Sequence, residues 1–112
     1  MSAFSTQSFI ERWHRLSLME QMGNIGSEVD RIDSWKKKGN EDYAMKALYR
    51  SLDLLDLTIA DPRWKNRLKE ITRAREFLCD LYVGDHTYNI TPEFLSKYFL
   101  AFALAARRQA GK

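Results

Sequence analysis

Apolar residues recur along this chain at alternating steps of four and three, which is the rhythm of one face of an α-helix. Leu18, Met22, Ile25, Val29 and Ile32 form the first series. Met45, Leu48, Leu52, Leu55 and Ile59 form the second, and Trp64, Leu68, Ile71, Leu78 and Tyr82 the third. Arg75 stands in the third series where an apolar residue is due. The residues between the series supply helix ends. Ser17 with Glu20 fits a capping box, and Gly39 after "KKK" closes the segment that follows. Asn40 suits the start of "EDYAMKALYRSLDLLDLTIA". Asp61-Pro62 restarts the chain into "RWKNRLKEITRAREFLCDLYV", which runs to Gly84. After "DHTYNI", Thr91-Pro92-Glu93 opens a last helix that continues to about Gln109, and a shorter piece from about Thr6 to Leu16 precedes the first. Consecutive amphipathic helices joined by short loops predict an all-α fold. The expected form is one domain over residues 1–112, an antiparallel four-helix bundle with a short additional N-terminal helical segment.

Two places break the pattern. Gly23 and Gly26 lie inside the first long helix, where each glycine costs about 1 kcal/mol relative to alanine. Two readings follow: a close helix crossing or a notch for an aromatic of another subunit, or an ordinary contact or kink within the chain. The second place is "YFLAFALAA" in the last helix, which has scarcely a polar position. A helix apolar all round is buried all round. That predicts packing against another copy of the protein through Gly23, Gly26, Tyr98, Phe99 and Phe102. The alternative is that Phe9, Ile10 and Trp13 of the N-terminal segment wrap over it.

Composition changes this picture little. Apolar residues make up 45% and charged residues 29%, as in an ordinary globular protein rather than a disordered one. The single Cys79 excludes an intramolecular disulfide and a cysteine-based zinc site. "MSAFSTQSFIERWHR" has no apolar core ahead of a cleavage site, so a cytoplasmic location is expected. "YFLAFALAA" falls short of the ~20 residues of a membrane span, so no membrane partner is expected.

The net charge of +3 permits nucleic-acid binding without demanding it. Basic residues gather as Lys36, Lys37 and Lys38, as Lys65, Lys69 and Arg73, and as Arg107, Arg108 and Lys112. Spaced by four, Lys65, Lys69 and Arg73 would form one stripe able to track a phosphate backbone, or simply a solvated face paired with Glu70 and Glu76. Arg75 is expected in a buried ion pair with Glu28, Asp53 or Asp56, or else at an interface or pocket.

Catalytic motifs are sparse. Neither His14 nor His86 has a carboxylate one helical turn on, and no phosphate loop or G-x-S-x-G elbow is present. HEPN-type ribonucleases are helical bundles that place an arginine shortly ahead of a catalytic histidine. Here Cys79, Asp80 and Leu81 precede His86, and Gln7, Ser8 and Phe9 precede His14, so that motif is missing. His86, beside Asp85 in a loop, is the more interesting of the two, with a solvated or turn-stabilising role as the alternative.

"NIGSEVDR", "DLTIADP", "RLKEITRAREFL" and "YVGDHTYN" together resemble a group of small bacterial helical proteins. "NIGSE" followed by "GNEDYAMKALYRSLDLLDLTI" is distantly similar to the four-helix bundles encoded in ribosomal RNA intervening sequences, and through them to the Avd-type accessory proteins of retroelements. That resemblance implies a non-enzymatic homo-oligomer without a cofactor or metal, binding RNA or DNA and assisting a reverse transcriptase. A protein–protein adaptor or antitoxin-like partner with no nucleic-acid role is the alternative.

Overall fold

The computed structural model describes residues 6–84 and 86–111, so Asp85 and Lys112 lie outside the described residues. Five α-helices are present among these: α1 (Gln7–Trp13), α2 (Leu18–Lys37), α3 (Glu41–Ile59), α4 (Leu68–Tyr82) and α5 (Pro92–Ala110), with a 3-10 turn at Pro62–Trp64 between α3 and α4. The start signals work as physical caps. Glu20 N–H donates to Ser17 Oγ at 3.1 Å while Ser17 N–H donates to the Glu20 carboxylate at 2.9 Å, completing the capping box. Asn40 accepts from Tyr43 N–H at 3.0 Å and Thr91 from Phe94 N–H at 3.0 Å. Gly39 ends the α2 region at φ +77°, a left-handed turn that glycine adopts without strain.

The central element is α2, flanked by α3 and α5. Both neighbours run antiparallel to it: Glu28 of α2 meets Arg50 of α3, while Gly23 and Gly26 meet Ala103 and Phe99 of α5. α4 packs on α3 and, more thinly, on α5. α1 lies across the α2–α3 pair, with the Trp13 indole N–H on Thr58 Oγ1 at 3.0 Å. Its Phe9, Trp13 and Leu16 are gathered with Asn24 of α2 and Leu54 of α3, so these side chains are directed at that pair.

The α2 series is buried as its spacing requires, with Leu18, Met22, Ile25, Val29 and Ile32 at most 3% exposed. α3 is turned relative to expectation. Its buried face is Ala44, Ala47, Leu48, Ser51, Leu54, Leu55 and Thr58, while Met45 is 40% exposed. Small residues let α3 approach α2 closely, and the buried hydroxyls are satisfied within the helix. Ser51 Oγ donates to the Ala47 carbonyl and Thr58 Oγ1 to that of Leu54.

The expected third helix is broken. Lys65, Asn66 and Arg67 separate the 3-10 turn from α4, so Lys65 is not on the helix that carries Lys69 and Arg73. The break lies where the side chains of Arg63 and Trp64 are drawn aside to Asp61 and Gln21.

Candidate nucleic-acid interface

A buried polar knot fixes one end of the molecule. Gln21, fully buried on α2, donates to the Trp13 carbonyl at 2.9 Å and to Asp61 Oδ2 at 3.3 Å, and its own carbonyl accepts from the Trp64 indole at 2.8 Å. Asp61, 2% exposed, is held by the Arg63 guanidinium at 2.7 Å and accepts the Arg63 backbone N–H at 3.0 Å. The same guanidinium reaches the Leu16 carbonyl at 2.8 Å and lies 4.4 Å from the centre of the Trp64 ring. Burial alone would push the Asp61 carboxyl up. The hydrogen bonds from Arg63 and Gln21, with the charge of Arg63, outweigh it and hold the group below the usual carboxylate range. Only the capping part of Asp61's role follows from its Asp-Pro context. Its side-chain partners come from two separate segments, Gln21 of α2 and Arg63 of the 3-10 turn.

This knot gathers the start of α2, the end of α3 and the 3-10 turn. The end of α5 joins them, because Glu20 and Gly23 of α2 line one shallow groove with Ala103, Ala106 and Arg107. Lys65, Lys69, Arg107 and Arg108 therefore belong to the same end of the molecule, all exposed. Arg73 lies one turn beyond Lys69 along α4, also exposed. Among the described residues, none of Lys65, Lys69, Arg73, Arg107 and Arg108 is within ion-pair distance of a carboxylate.

The third basic group is elsewhere and is occupied. Lys36 pairs with Glu41 at 3.1 Å, Lys37 with Asp33 at 2.9 Å, and the Lys38 ammonium sits 4.9 Å from the centre of the Trp35 ring. The hydrogen bond and charge of Asp33 raise the pKa of Lys37. A groove of about 480 Å³ opens beside them, lined by Asp30, Asp33, Lys37, Tyr82, Glu93 and Lys97 among others. Burial, then the charges of Asp33, Asp30 and Glu93, pushes the Tyr82 hydroxyl up to about 12. Asp30, Asp33, Glu41 and Glu93 balance Lys36, Lys37, Lys38 and Lys97 here, so these lysines leave no excess of positive charge at this end.

The remaining expected sites need correction. Arg75 does pair with Asp56, at 3.0 Å, but the two side chains are 39% and 57% exposed, so the ion pair is not buried. The guanidinium leans outward along α4, where Nη1 approaches Cys79 Sγ at 3.7 Å. Glu28 is instead taken by Arg31 and Arg50. Gly26 and Phe99 are not at a surface. A methyl group on Gly26 would stand 2.6 Å from Phe99 Cβ, and one on Gly23 would stand 3.0 Å from Ala103 Cα. The notch is filled by an aromatic of the same chain.

Tyr98 and Phe102 are half-buried in a run of rings between α4 and α5. Phe77 stands edge-on to Tyr88, Phe94 and Tyr98, with centroids 5.6, 5.6 and 5.5 Å apart. The Tyr98 hydroxyl donates to the Glu70 carbonyl at 3.3 Å. What α5 leaves outside is a different set, with Phe94, Leu100 and Leu104 46%, 50% and 41% exposed.

The histidines form no catalytic pair. His14 Nε2 lies 3.3 Å from the Leu57 carbonyl, which requires the proton on that nitrogen. His86 is exposed at φ +58° in a loop tied by Asp80, whose carboxylate accepts the Tyr88 N–H at 3.3 Å. No helix among the described residues is long and apolar enough to cross a membrane. Compared with protein-family models, with curated proteins and with solved structures, the chain finds no match.

Proposed function

We propose that this protein is a non-catalytic, homo-oligomeric antiparallel four-helix bundle, with α1 as an added N-terminal helix, that binds RNA or DNA through its basic end. One observation carries the reading. Lys65 from the break before α4, Lys69 from its first turn and Arg107 from the end of α5 share one end of the fold, exposed and, among the described residues, without carboxylate partners. Unpaired cations gathered from separate segments are what a phosphate backbone requires, because each contact releases condensed counterions. The resemblance to intervening-sequence and Avd-type bundles supports the same role and suggests a reverse transcriptase or another nucleic-acid enzyme as the protein partner.

Fluorescence anisotropy with labelled structured RNA and duplex DNA, repeated over a range of salt, tests this. Binding is expected to weaken steeply as salt rises. Reversing charge at Lys65, Lys69 and Arg107 together is expected to lower affinity at least about tenfold and to reduce the salt slope by about three. Reversing Lys36, Lys37 and Lys38 is expected to change it little. No binding at low salt, or equal losses from both sets, would defeat the proposal.

The apolar positions Phe94, Leu100 and Leu104 favour one competing reading, an adaptor or antitoxin-like protein with no nucleic-acid role. Co-purification of a stoichiometric, different protein free of nucleic acid would support that reading instead.

A further inference from the structure

α5 has two sides. Leu95 and Phe99 are buried, whereas Glu93, Lys97, Leu100, Ala101, Leu104 and Arg108 are all exposed. At about 100° of rotation per residue, those six positions fall on one face spanning roughly a quarter of the helix circumference. Their order is self-complementary on reversal. When two such faces are laid antiparallel about the midpoint between Leu100 and Ala101, Leu100 meets Ala101, Lys97 meets Leu104, and Glu93 meets Arg108.

We infer that this face of α5 is a two-fold interface at which α5 of a second copy of the chain packs antiparallel, closed at each end by a Glu93–Arg108 ion pair. The inference rests on the oligomeric part of the function proposed above and names the surface responsible. Charge singles out the occupant. Within the protomer, and among the described residues, neither Glu93 nor Arg108 has an ion-pair partner. The antiparallel arrangement pairs each with its opposite, twice by symmetry. Parallel packing would set Glu93 on Glu93 and Arg108 on Arg108, so electrostatics selects the direction. Between the charged ends, Leu100 covers the small Ala101 of the partner and the Lys97 stem lies over the partner's Leu104 with its ammonium in water. An isologous contact of this kind closes on itself and stops at two chains. It also removes Arg108 from the phosphate-binding set and leaves Arg107, on the adjacent flank of α5, free.

Sedimentation equilibrium over a concentration series tests the assignment on the full chain, with circular dichroism to verify helix content. Arg108→Glu and Glu93→Arg are each expected to raise the dimer dissociation constant at least tenfold, and the double variant is expected to restore the dimer. As a second reading, Leu100→Cys in a Cys79→Ser background is expected to cross-link with itself under mild oxidation, because the two residues lie beside the axis. A wild-type chain that stays monomeric at every concentration would overturn both this inference and the oligomeric proposal. A dimer indifferent to the single reversals, a double variant that does not recover, or no cross-link at Leu100 would overturn the α5 interface alone. Nucleic-acid binding, read separately by anisotropy, then stands or falls independently.

Discussion

α5 touches its two neighbours by opposite means. Toward α2, the contact is made by absent side chains: Gly23 and Gly26 bring the helix down onto Ala103 and Phe99 until no methyl group fits at Gly26. Toward α4, the helices stay apart and rings fill the space, with Phe77 at the centre of three edge contacts and Tyr88 and Phe94 still about half exposed. At Gly26 the first seam is sterically closed, although shallow grooves flank it on either side, so a small change at that point has nowhere to go. The second is deep in aromatic area but open to solvent along its edge, so the same change can relax. Helical glycines, costly by propensity, are retained where close approach buries a large ring such as Phe99, 1% exposed.

The largest effect should come from removing the ring that the glycines admit. Phe99→Ala is expected to destabilise the fold by about 3–5 kcal/mol in chemical denaturation, the range for emptying an aromatic site in a tight core. Gly26→Ala follows. The gain of about 1 kcal/mol in helix propensity opposes the steric cost of a forced contact, typically about 1–3 kcal/mol. A net loss is expected, larger than for Gly23→Ala, where Ala103 has to give only slightly. A stabilised Gly26→Ala protein would mean the α2–α5 seam is not close-packed.

Phe77→Ala tests the other seam. A loss of about 2 kcal/mol is expected, from partial burial and the edge contacts together, with faster hydrogen exchange confined to α4 and the loop before α5. Equal acceleration in α2 would show that the two seams open as one.

Alkaline pH separates the seams more gently. Burial, reinforced by the charge of Glu70 and opposed by that of Arg73, raises the Tyr98 hydroxyl, and Tyr82 on α4 is pushed up to about 12. A folded-state pKa above the unfolded one means stability that is complete below the unfolded tyrosine pKa, about 10, and is lost as pH rises through the folded value. The side chains that meet at the α2–α5 crossing are Phe99 and Ala103, neither of which titrates. Loosening of α4 ahead of α2, reduced by Tyr98→Phe in the α4–α5 seam, is the expected outcome of exchange measurements above that pH. Uniform loss across the chain would contradict it.

Much of the fold was legible because local chemistry states it. Ser17, Asn40 and Thr91 cap the helices they precede, and the α2 series is buried position for position. The α3 face was misread because hydrophobicity marks Met45 and Leu52, whereas closeness to α2 selects Ala44, Ala47 and Ser51. Apolar periodicity cannot register a side chain buried for its smallness. The break before α4 was hidden for a related reason, since Arg63 and Trp64 are held by Asp61 and by Gln21, a residue some forty positions earlier.

The basic site was legible as residues and illegible as a surface. Sequence supplies three clusters of cations. Only the antiparallel arrangement brings the start of α4 and the end of α5 to one end, and only local ion pairing removes Lys36 and Lys37 from the count.

By itself, then, the order of residues determined which segments are helical and where most of them begin, because capping and periodicity act within a few residues; that α2 lies between α3 and α5 was decided only by packing. The tertiary structure decided which partner each glycine and charge would meet. Gly26 received Phe99 of its own chain, Arg75 received Asp56 at the surface, and α5 kept an apolar stripe outside. Those outcomes depend on contacts between residues far apart in the chain, whose distances exist only after the helices have packed.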